Sequence, residues 1–289
     1  MSLLVFFYIA IGVFVLGNAC RLVRFARMPA HLRWELYPMP RGTAEQRRHG
    51  SSYFEETDWW KKPRPSSFLS ELSYMLREVL MFVTVRKRNR PLWLWSWMMH
   101  LGLYVLIITT ALTGVAAVTG ATWPLTIDVV ALISSGIGLV GVAGLLVRRL
   151  QRLRECTSRS DLFNLFLIGC MFASQALAHL SGHGTHELVT FTRTILRVDS
   201  ASTIGWAATI HLTIVAAFIA YFPATHMTHA YMKFFTYHRV RWDDRAVAHN
   251  SRIGDAMRTN VGRPIAWSAP HIANAEKSTW ADAVAGRRS

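Results

Sequence analysis

Apolar and polar segments alternate sharply along this chain of 289 residues. A membrane-spanning helix needs about 20 mostly apolar residues. Five runs qualify, at about 2–20, 93–118, 127–147, 162–180 and 204–232. The pattern therefore predicts an all-α integral membrane protein that contains a five-helix transmembrane bundle.

One further segment, 68–85, has apolar residues at helical spacing but carries charged residues between them. This pattern suits a helix that lies in the membrane interface. A short soluble helix packed beneath the membrane domain fits the same pattern equally well. Both interpretations predict a helix here that does not cross the membrane.

Lysine and arginine are distributed unevenly between the loops. The segment 21–92 holds 15 of them, 148–160 holds 5 and the tail from 233 holds 10, whereas the other two loops hold 0 and 2. Because basic loops stay in the cytoplasm, we expect the N-terminus outside, a long cytoplasmic loop between the first two spans and a cytoplasmic C-terminus. The predicted domains are a membrane domain, 1–245, and a basic tail, 246–289.

The net charge of +15 would also suit a nucleic-acid-binding protein. The basic residues flank the apolar runs and form no separate basic domain, and no nucleic-acid-binding motif is present. We therefore expect no nucleic-acid partner.

The fifth run carries three histidines, His211, His226 and His229, although an imidazole is costly in hydrocarbon. If the run is one continuous α-helix, the 18 residues from His211 to His229 make five whole turns and place both on one face. Their separation would be about 27 Å, close to the ~30 Å thickness of the hydrocarbon core. Two imidazole sites stacked across a bilayer suit a pair of haems that carries electrons across the membrane.

Each haem iron would take a second imidazole from another helix at the same depth. His100, near the cytoplasmic end of the second run, matches His229, and His179, near the outer end of the fourth run, roughly matches His211. We therefore predict an inner pair, His100 with His229, and an outer pair, His179 with His211, as the cofactor-binding and iron-ligating residues. His226 is an alternative inner ligand. A helix–helix hydrogen bond or an interfacial position is the simpler role open to each histidine.

The segment HLTIVAAFIAYFPATHMTH resembles the last span of the gamma subunit of respiratory nitrate reductase, a cytochrome b with five spans and two haems. The shared features are the two histidines and the Phe-Pro pair at 222–223, which begins seven residues before His229. The segment MHLGLYVLI resembles that family's second span, whose first histidine, here His100, is the inner-haem ligand. The family has another histidine ten residues later, where this chain has Thr110. The outer ligand is therefore either His179 on another helix, or the outer haem is absent or bound differently.

A closer resemblance is to the cytochrome b subunits that accompany heterodisulfide-reductase-like iron–sulfur proteins, as in the transmembrane redox complexes of sulfate reducers. It rests on WELYP (34–38), GSSYFEETDWWKKPR (50–64), NRPLW (89–93), HLGLY (100–104) and THMTHAYMKFFTYHRVRWDD (225–244). The resemblance implies a haem b subunit, with one haem or two, that passes electrons between menaquinone or its quinol and a cytoplasmic iron–sulfur partner.

The same resemblance implies a place in the respiratory chain of a bacterial or archaeal cytoplasmic membrane. The chain would act as a quinone-linked oxidoreductase subunit only within a complex, and an external cytochrome c is a further candidate partner. Its three cysteines include no C-x-x-C pair, so we expect the iron–sulfur cluster on the partner.

A quinone pocket needs an apolar slot and one or two polar groups at headgroup depth. The candidates on the outer side are His179, His183 and Asp128, although Asp128 also suits an N-cap at the start of the third span. His183 and His186 also suit plain loop positions.

The partner's docking surface is predicted on the cytoplasmic side. Trp59, Trp60, Trp242 and the arginines within 239–245 would form an aromatic and basic platform. The same residues suit an aromatic belt with positive-inside anchors.

Two other functions fit parts of the sequence. Paired histidines in a membrane could serve a metal-ion transporter, and the HMTH motif has the i, i+3 spacing of zinc ligands, but few charged residues lie within the spans. A haem-free membrane anchor for a soluble partner is the second alternative, and Thr110 is the residue that favours it.

Overall fold

The computed structural model describes residues 3–27, 68–121, 126–151, 157–182, 184–197, 203–229, 231–232, 252–265 and 279–285. Within these residues the regular structure is helical, apart from an isolated bridge between Pro264 and Thr279. The α-helices are α1 (Leu3–Arg27), α2 (Phe68–Met81), α3 (Val83–Arg88), α4 (Arg90–Thr119), α5 (Thr126–Gln151), α6 (Arg159–Leu180), α7 (Gly184–Arg197), α8 (Trp206–Tyr221), α9 (Arg252–Val261) and α10 (Trp280–Ala285).

Five helical segments are long and apolar enough to cross a membrane. They are α1, α4, α5, α6 and the stretch Trp206–Ala224, which contains α8 and a 3₁₀ turn. They coincide with the five predicted runs, so the predicted all-α architecture with five spans is confirmed. The chain is a multi-pass membrane protein.

The chain forms two compact units. The first comprises Met1–Asn18 and Ser73–Thr225, and it contains α3 to α8 together with most of α1 and α2. The second comprises Ala19–Leu72 and His226–Ser289.

Glycines allow α4 and α5 to pack backbone against backbone in the first unit. A Cβ atom on Gly141 would overlap the backbone of Met99, and one on Gly144 would overlap the indole of Trp95. Small residues are what allow membrane helices to approach this closely. Residue numbers rise along α4 as they fall along α5, so the two helices are antiparallel.

A phenylalanine from α6 completes this contact. The Phe172 ring is fully buried at 0% exposure, and a Cβ atom on Gly138 of α5 would lie 2.5 Å from it. A Cβ atom on Gly102 of α4 would lie 2.9 Å from the same ring. The three helices therefore meet at one aromatic side chain, which fills the space that the two glycines leave.

Side-chain contacts near the helix ends show that α6 runs antiparallel to α5 and to α8. On α5, Arg149 pairs with Asp161 at one end of α6, with 3.2 Å between Nη1 and Oδ2, and Asp128 contacts α6 at the other end. On α8, Tyr221 packs edge to face on Phe163, with 5.4 Å between ring centroids.

The bundle thus has two ends. We call them the Asp128 end, where α4 and α6 finish, and the Trp93 end, where α4 and α6 begin.

Helix α7 lies between the fourth and fifth spans, where the sequence predicts a loop. It is amphipathic, and Phe191 packs edge to face on Phe7 of α1 with 5.4 Å between ring centroids. Tyr8 of α1 donates a hydrogen bond to the Ile195 carbonyl at 2.8 Å. Apolar residues three and four apart, Leu188, Phe191 and Ile195, were the signal for this helix.

The fifth run is not one continuous helix, so the prediction for 204–232 was wrong in its second half. Helix α8 ends at Tyr221, and 3₁₀ turns follow at Phe222–Ala224 and His226–Thr228, separated by Thr225 in an extended conformation. Pro223 explains the break, because proline lacks the N–H that an α-helix needs and clashes with the carbonyl four residues earlier. The 18-residue interval between His211 and His229 therefore does not make five turns of one helix.

The predicted helix over 68–85 is present as two helices that meet at a sharp turn. α2 ends at Met81, Phe82 adopts the left-handed conformation with φ 47°, and α3 follows. Beside the turn, buried Glu78 accepts a hydrogen bond from the Thr84 hydroxyl at 2.8 Å. We call α2, Phe82 and α3 the elbow.

The second unit holds the end of α1 and two short helices of the tail. Arg21 donates to the Thr228 hydroxyl with 2.6 Å between nitrogen and oxygen. Helices α9 and α10 are joined through a hydrogen bond from the Trp280 amide to the Arg263 carbonyl at 3.3 Å. The division between a membrane domain and a tail at residue 246 stays a prediction.

Candidate functional site

A half-buried carboxylate holds His179 at the Asp128 end of the first unit. His179 Nδ1 lies 2.6 Å from Asp128 Oδ1, and the histidine is only 7% exposed. The same oxygen accepts hydrogen bonds from the Thr185 hydroxyl at 2.6 Å and from the Thr185 amide at 3.2 Å. Asp128 thus ties α5, α6 and the first turn of α7 together.

Asp128 is not the N-cap of α5, because that helix begins two residues earlier, at Thr126. Its carboxylate instead accepts a hydrogen bond from the Thr185 amide in the first turn of α7. A negative charge is favourable there because the N-terminal end of the helix dipole is positive. Gly184 makes this approach possible, because a Cβ atom there would lie 2.7 Å from the Cα atom of His179. The N-cap interpretation of Asp128 was therefore wrong, and its part in a quinone site stays a prediction.

A serine holds His211 on α8. His211 is 6% exposed, and its Nδ1 lies 3.0 Å from the hydroxyl oxygen of Ser174 on α6. That hydroxyl has one hydrogen, which it donates to the Met171 carbonyl at 3.0 Å. When the hydroxyl makes that bond, its oxygen accepts from His211, and the neutral imidazole then carries its proton on Nδ1.

The two histidines of the predicted outer pair lie in the same half of the bundle. Ser174, which anchors His211, precedes His179 on α6 by five residues, about 7.5 Å of helix rise and about 140° of rotation. His179, on α6, is held by a residue of α5 that also binds α7. His211, on α8, is held by a residue of α6.

His100 lies toward the Trp93 end of α4 and is held by its own helix. Its Nδ1 lies 2.7 Å from the Ser96 carbonyl. The ring of Phe82, from the elbow, meets the imidazole edge to face with 4.7 Å between centroids. Tyr104, one turn further along α4, lies 6.3 Å from it by the same measure.

His229 belongs to the second unit and is exposed. Its Nδ1 lies 3.0 Å from the carbonyl oxygen of His226. His226, the alternative inner ligand, is exposed in the 3₁₀ turn. The predicted partners His100 and His229 lie in different units, so their pairing stays a prediction from the sequence.

All four candidate histidines share one feature of their hydrogen bonding. Each places Nδ1 beside an oxygen: a carboxylate for His179, a serine hydroxyl for His211, and backbone carbonyls for His100 and His229. Carbonyl and carboxylate oxygens only accept, so Nδ1 carries the proton in the neutral ring. Nε2 is then the nitrogen that has a lone pair. A metal-binding imidazole has this arrangement, since the second nitrogen is usually fixed by an oxygen acceptor.

Thr110 does not face the buried part of the bundle. It is exposed on α4, and its hydroxyl donates to the Leu106 carbonyl one turn earlier at 2.8 Å. Its side chain is thus engaged with its own helix, as is common for threonine in membrane helices.

Further buried polar groups lie along α6 that the sequence did not single out. The Ser135 hydroxyl on α5 has two acceptors within reach, the Ala131 carbonyl at 2.8 Å and the Gln175 side-chain oxygen at 3.1 Å. Asn164, 4% exposed, has neither amide atom hydrogen-bonded within the described chain. No local signal distinguishes these residues, because their burial follows from helix packing.

Several predicted functional residues lie outside the described residues. They are His183, Trp59, Trp60, Trp242 and the arginines within 239–245. Among the described residues, no three or more His, Cys, Asp or Glu side chains converge on a metal site. A haem iron held by two axial imidazoles needs no such group.

Comparisons with protein-family models, with curated proteins and with solved structures find no match for this chain.

Proposed function

We propose that this chain is a haem b membrane subunit that transfers electrons between menaquinone or its quinol and a cytoplasmic iron–sulfur partner of the heterodisulfide-reductase type. The observation that carries the proposal is the common hydrogen bonding of four histidines. His100, His179, His211 and His229 each place Nδ1 beside an oxygen, and with the proton on Nδ1 the other ring nitrogen, Nε2, keeps the lone pair that binds a metal.

The orientation is part of the proposal. Of the 32 lysines and arginines, 30 lie in the segments that would be cytoplasmic if the N-terminus is outside. The Trp93 end then faces the cytoplasm and the partner, and the Asp128 end faces the opposite side of a bacterial or archaeal cytoplasmic membrane.

The residues of the Asp128 end suit one haem, which His179 and His211 would hold. Haem b, when bound, supplies one-electron transfer. Asp128 keeps the proton of His179 on Nδ1 and fixes the orientation of the ring, and Ser174 does the same for His211. If this haem is absent, the chain holds only the inner haem, on His100 and His229. The exposed position of Thr110 agrees with that alternative, because Thr110 stands where the related family has a histidine for the outer haem.

The Asp128 end also offers the polar groups that a quinone site needs. The partly exposed Asp128 carboxylate beside α7 can accept a proton from a quinol, and His179 can share this role only if it holds no haem. The chain would work as a quinone-linked oxidoreductase only with its iron–sulfur partner, and an external cytochrome c remains a further candidate donor or acceptor.

The test is the number of haems per polypeptide, measured by pyridine haemochrome on the purified full-length chain. The set comprises wild type, His100→Ala, His179→Ala and His211→Ala. His186→Ala is the matched control, because this histidine is exposed on α7.

Two haems in wild type and one in each variant, with no loss in the control, are the expected result. One haem in wild type, lost only in His100→Ala, would reduce the proposal to a single inner site. No haem in a wild-type chain purified with its partner would overturn the proposal and leave a membrane anchor or a metal-ion transporter.

A further inference from the structure

The elbow carries a row of leucines that no described residue covers. They are Leu76 and Leu80, in the part of α2 that belongs to the first unit, and they are 48% and 44% exposed. Residues three and four apart share one face of a helix, so the row is continuous. Buried Glu78 lies on the opposite face, and its carboxylate is engaged with Thr84.

Basic residues follow the row directly. Arg86, Lys87 and Arg88 on α3 and Arg90 at the start of α4 are all exposed. Glu78 is the one acidic residue in the sequence between positions 73 and 100. The exposed charge of residues 73–90 is therefore positive, and the other acidic residue of the elbow is Glu71, in the first turn of α2.

Three side chains of the membrane span α4 donate hydrogen bonds to the last backbone carbonyls of α2, and these bonds fix the elbow to that span. The Tyr104 hydroxyl donates to the Val79 carbonyl at 2.7 Å. The indole nitrogens of two tryptophans donate to the next two carbonyls, Trp97 to Leu80 at 3.1 Å and Trp93 to Met81 at 2.7 Å. Helix ends leave such carbonyls without a partner, and here α4 supplies the donors.

The two tryptophans indicate how deep in the membrane this contact lies. Trp93 and Trp97 stack with 5.9 Å between centroids, and the Arg86 guanidinium lies 4.9 Å from the Trp93 ring centroid. Tryptophan collects at the level of lipid headgroups, and both lie in the first turns of α4. The leucine row therefore sits at the membrane interface, with the basic residues beside it.

We propose that the elbow is a binding site for anionic phospholipid of the adjacent leaflet. The leucine row contacts acyl chains, and Arg86, Lys87 and Arg90 bind the phosphate of the headgroup. Guanidinium groups match phosphate in geometry and charge. The pattern of exposed apolar and basic residues is that of an interfacial helix. This site is separate from the proposed electron transfer and does not depend on haem.

The test compares spin-labelled phosphatidylglycerol with spin-labelled phosphatidylcholine on the full-length chain in phosphatidylcholine vesicles. The measured quantity is the ratio of their association constants, from the motionally restricted fraction of the label in electron paramagnetic resonance spectra. The triple variant Arg86→Gln/Lys87→Gln/Arg90→Gln should lower this ratio about tenfold. The variant Arg86→Lys/Arg90→Lys keeps the charges and should retain the ratio.

The matched control, Arg24→Gln/Arg27→Gln/Arg252→Gln, removes the same net charge from exposed positions outside the elbow. It should change the ratio less than twofold. An equal fall in both triple variants would mean a general electrostatic attraction and would overturn the site. An unchanged ratio in the elbow variant would also overturn it and leave a protein partner as the occupant of this surface.

Discussion

The candidate histidines at the two ends of the first unit are held by different kinds of contact. At the Asp128 end, His179 and His211 are anchored by side chains 51 and 37 residues away in sequence. At the Trp93 end, His100 is anchored by a backbone carbonyl four residues earlier on its own helix. His229, in the second unit, is likewise anchored by the carbonyl three residues before it.

This difference determines how each site responds to mutation. A backbone carbonyl is present whatever the side chain is, so the orientation of His100 persists as long as α4 remains helical. The orientation of His179 and His211 requires that α5, α6 and α8 stay in register. The Asp128 end is therefore the more sensitive of the two, and substitutions can separate the ends.

The largest effect is expected from Gly138→Val, because both ends depend on the contact of α4, α5 and α6. The new side chain would overlap the buried Phe172 ring, and overpacking of this kind costs about 3 kcal/mol. We expect a marked fall in the temperature at which half of the purified protein remains folded, measured by size-exclusion chromatography after heating. Gly136→Val is the control, since a Cβ there meets no atom within 4 Å. Equal melting of the two variants would contradict this account of the packing.

The next effect is expected from Asp128→Ala, which removes the acceptor of both His179 and Thr185. Loss of an outer-shell carboxylate typically weakens metal binding about 10- to 100-fold. Haem titration of the purified chain should show a loss of that order at the Asp128 end and little change at the site of His100. Thr185→Val keeps the bond between Asp128 and His179, so it should retain most of the affinity. Comparable losses in the two variants would show that Asp128 acts on α7 and not on His179.

A smaller effect is expected from Ser174→Ala, which removes the acceptor of His211 Nδ1. A neutral hydrogen bond contributes about 1 kcal/mol, so haem affinity at the Asp128 end should fall about fivefold in the same titration. Ser134→Ala is the control, because this buried serine bonds to the Ala131 carbonyl of its own helix. The proposed role of Ser174 would be wrong if both serine variants behaved alike.

The smallest effect is expected at the Trp93 end. Phe82→Leu removes the edge-to-face contact with His100, and such aromatic contacts contribute about 0.5–1.5 kcal/mol. Haem affinity at His100 should fall about threefold, whereas Ser96→Ala should leave it unchanged because the acceptor is the backbone carbonyl of residue 96. A large loss of haem affinity in Ser96→Ala would show that the backbone carbonyl alone does not hold His100. The two ends would then not differ in the kind of contact that holds their histidines.

The sequence predicted the spans well because their hydropathy is a local property. A run of apolar residues selects a helix in lipid, where every backbone polar group must be bonded within the segment. The proline at 223 was visible too, and its effect on α-helix geometry was sufficient to predict the end of α8. The prediction failed there because the apolar pattern was followed beyond it.

The sequence alone determined five apolar helices and the uneven distribution of lysine and arginine between the loops that join them. The tertiary structure alone decided that Asp128 binds His179 and Thr185, that Ser174 binds His211, and that α7 packs on α1. The physical reason is distance along the chain. Contacts within one helical turn follow from backbone geometry, whereas contacts between helices depend on how side-chain volumes fit, as Phe172 fits against Gly102 and Gly138.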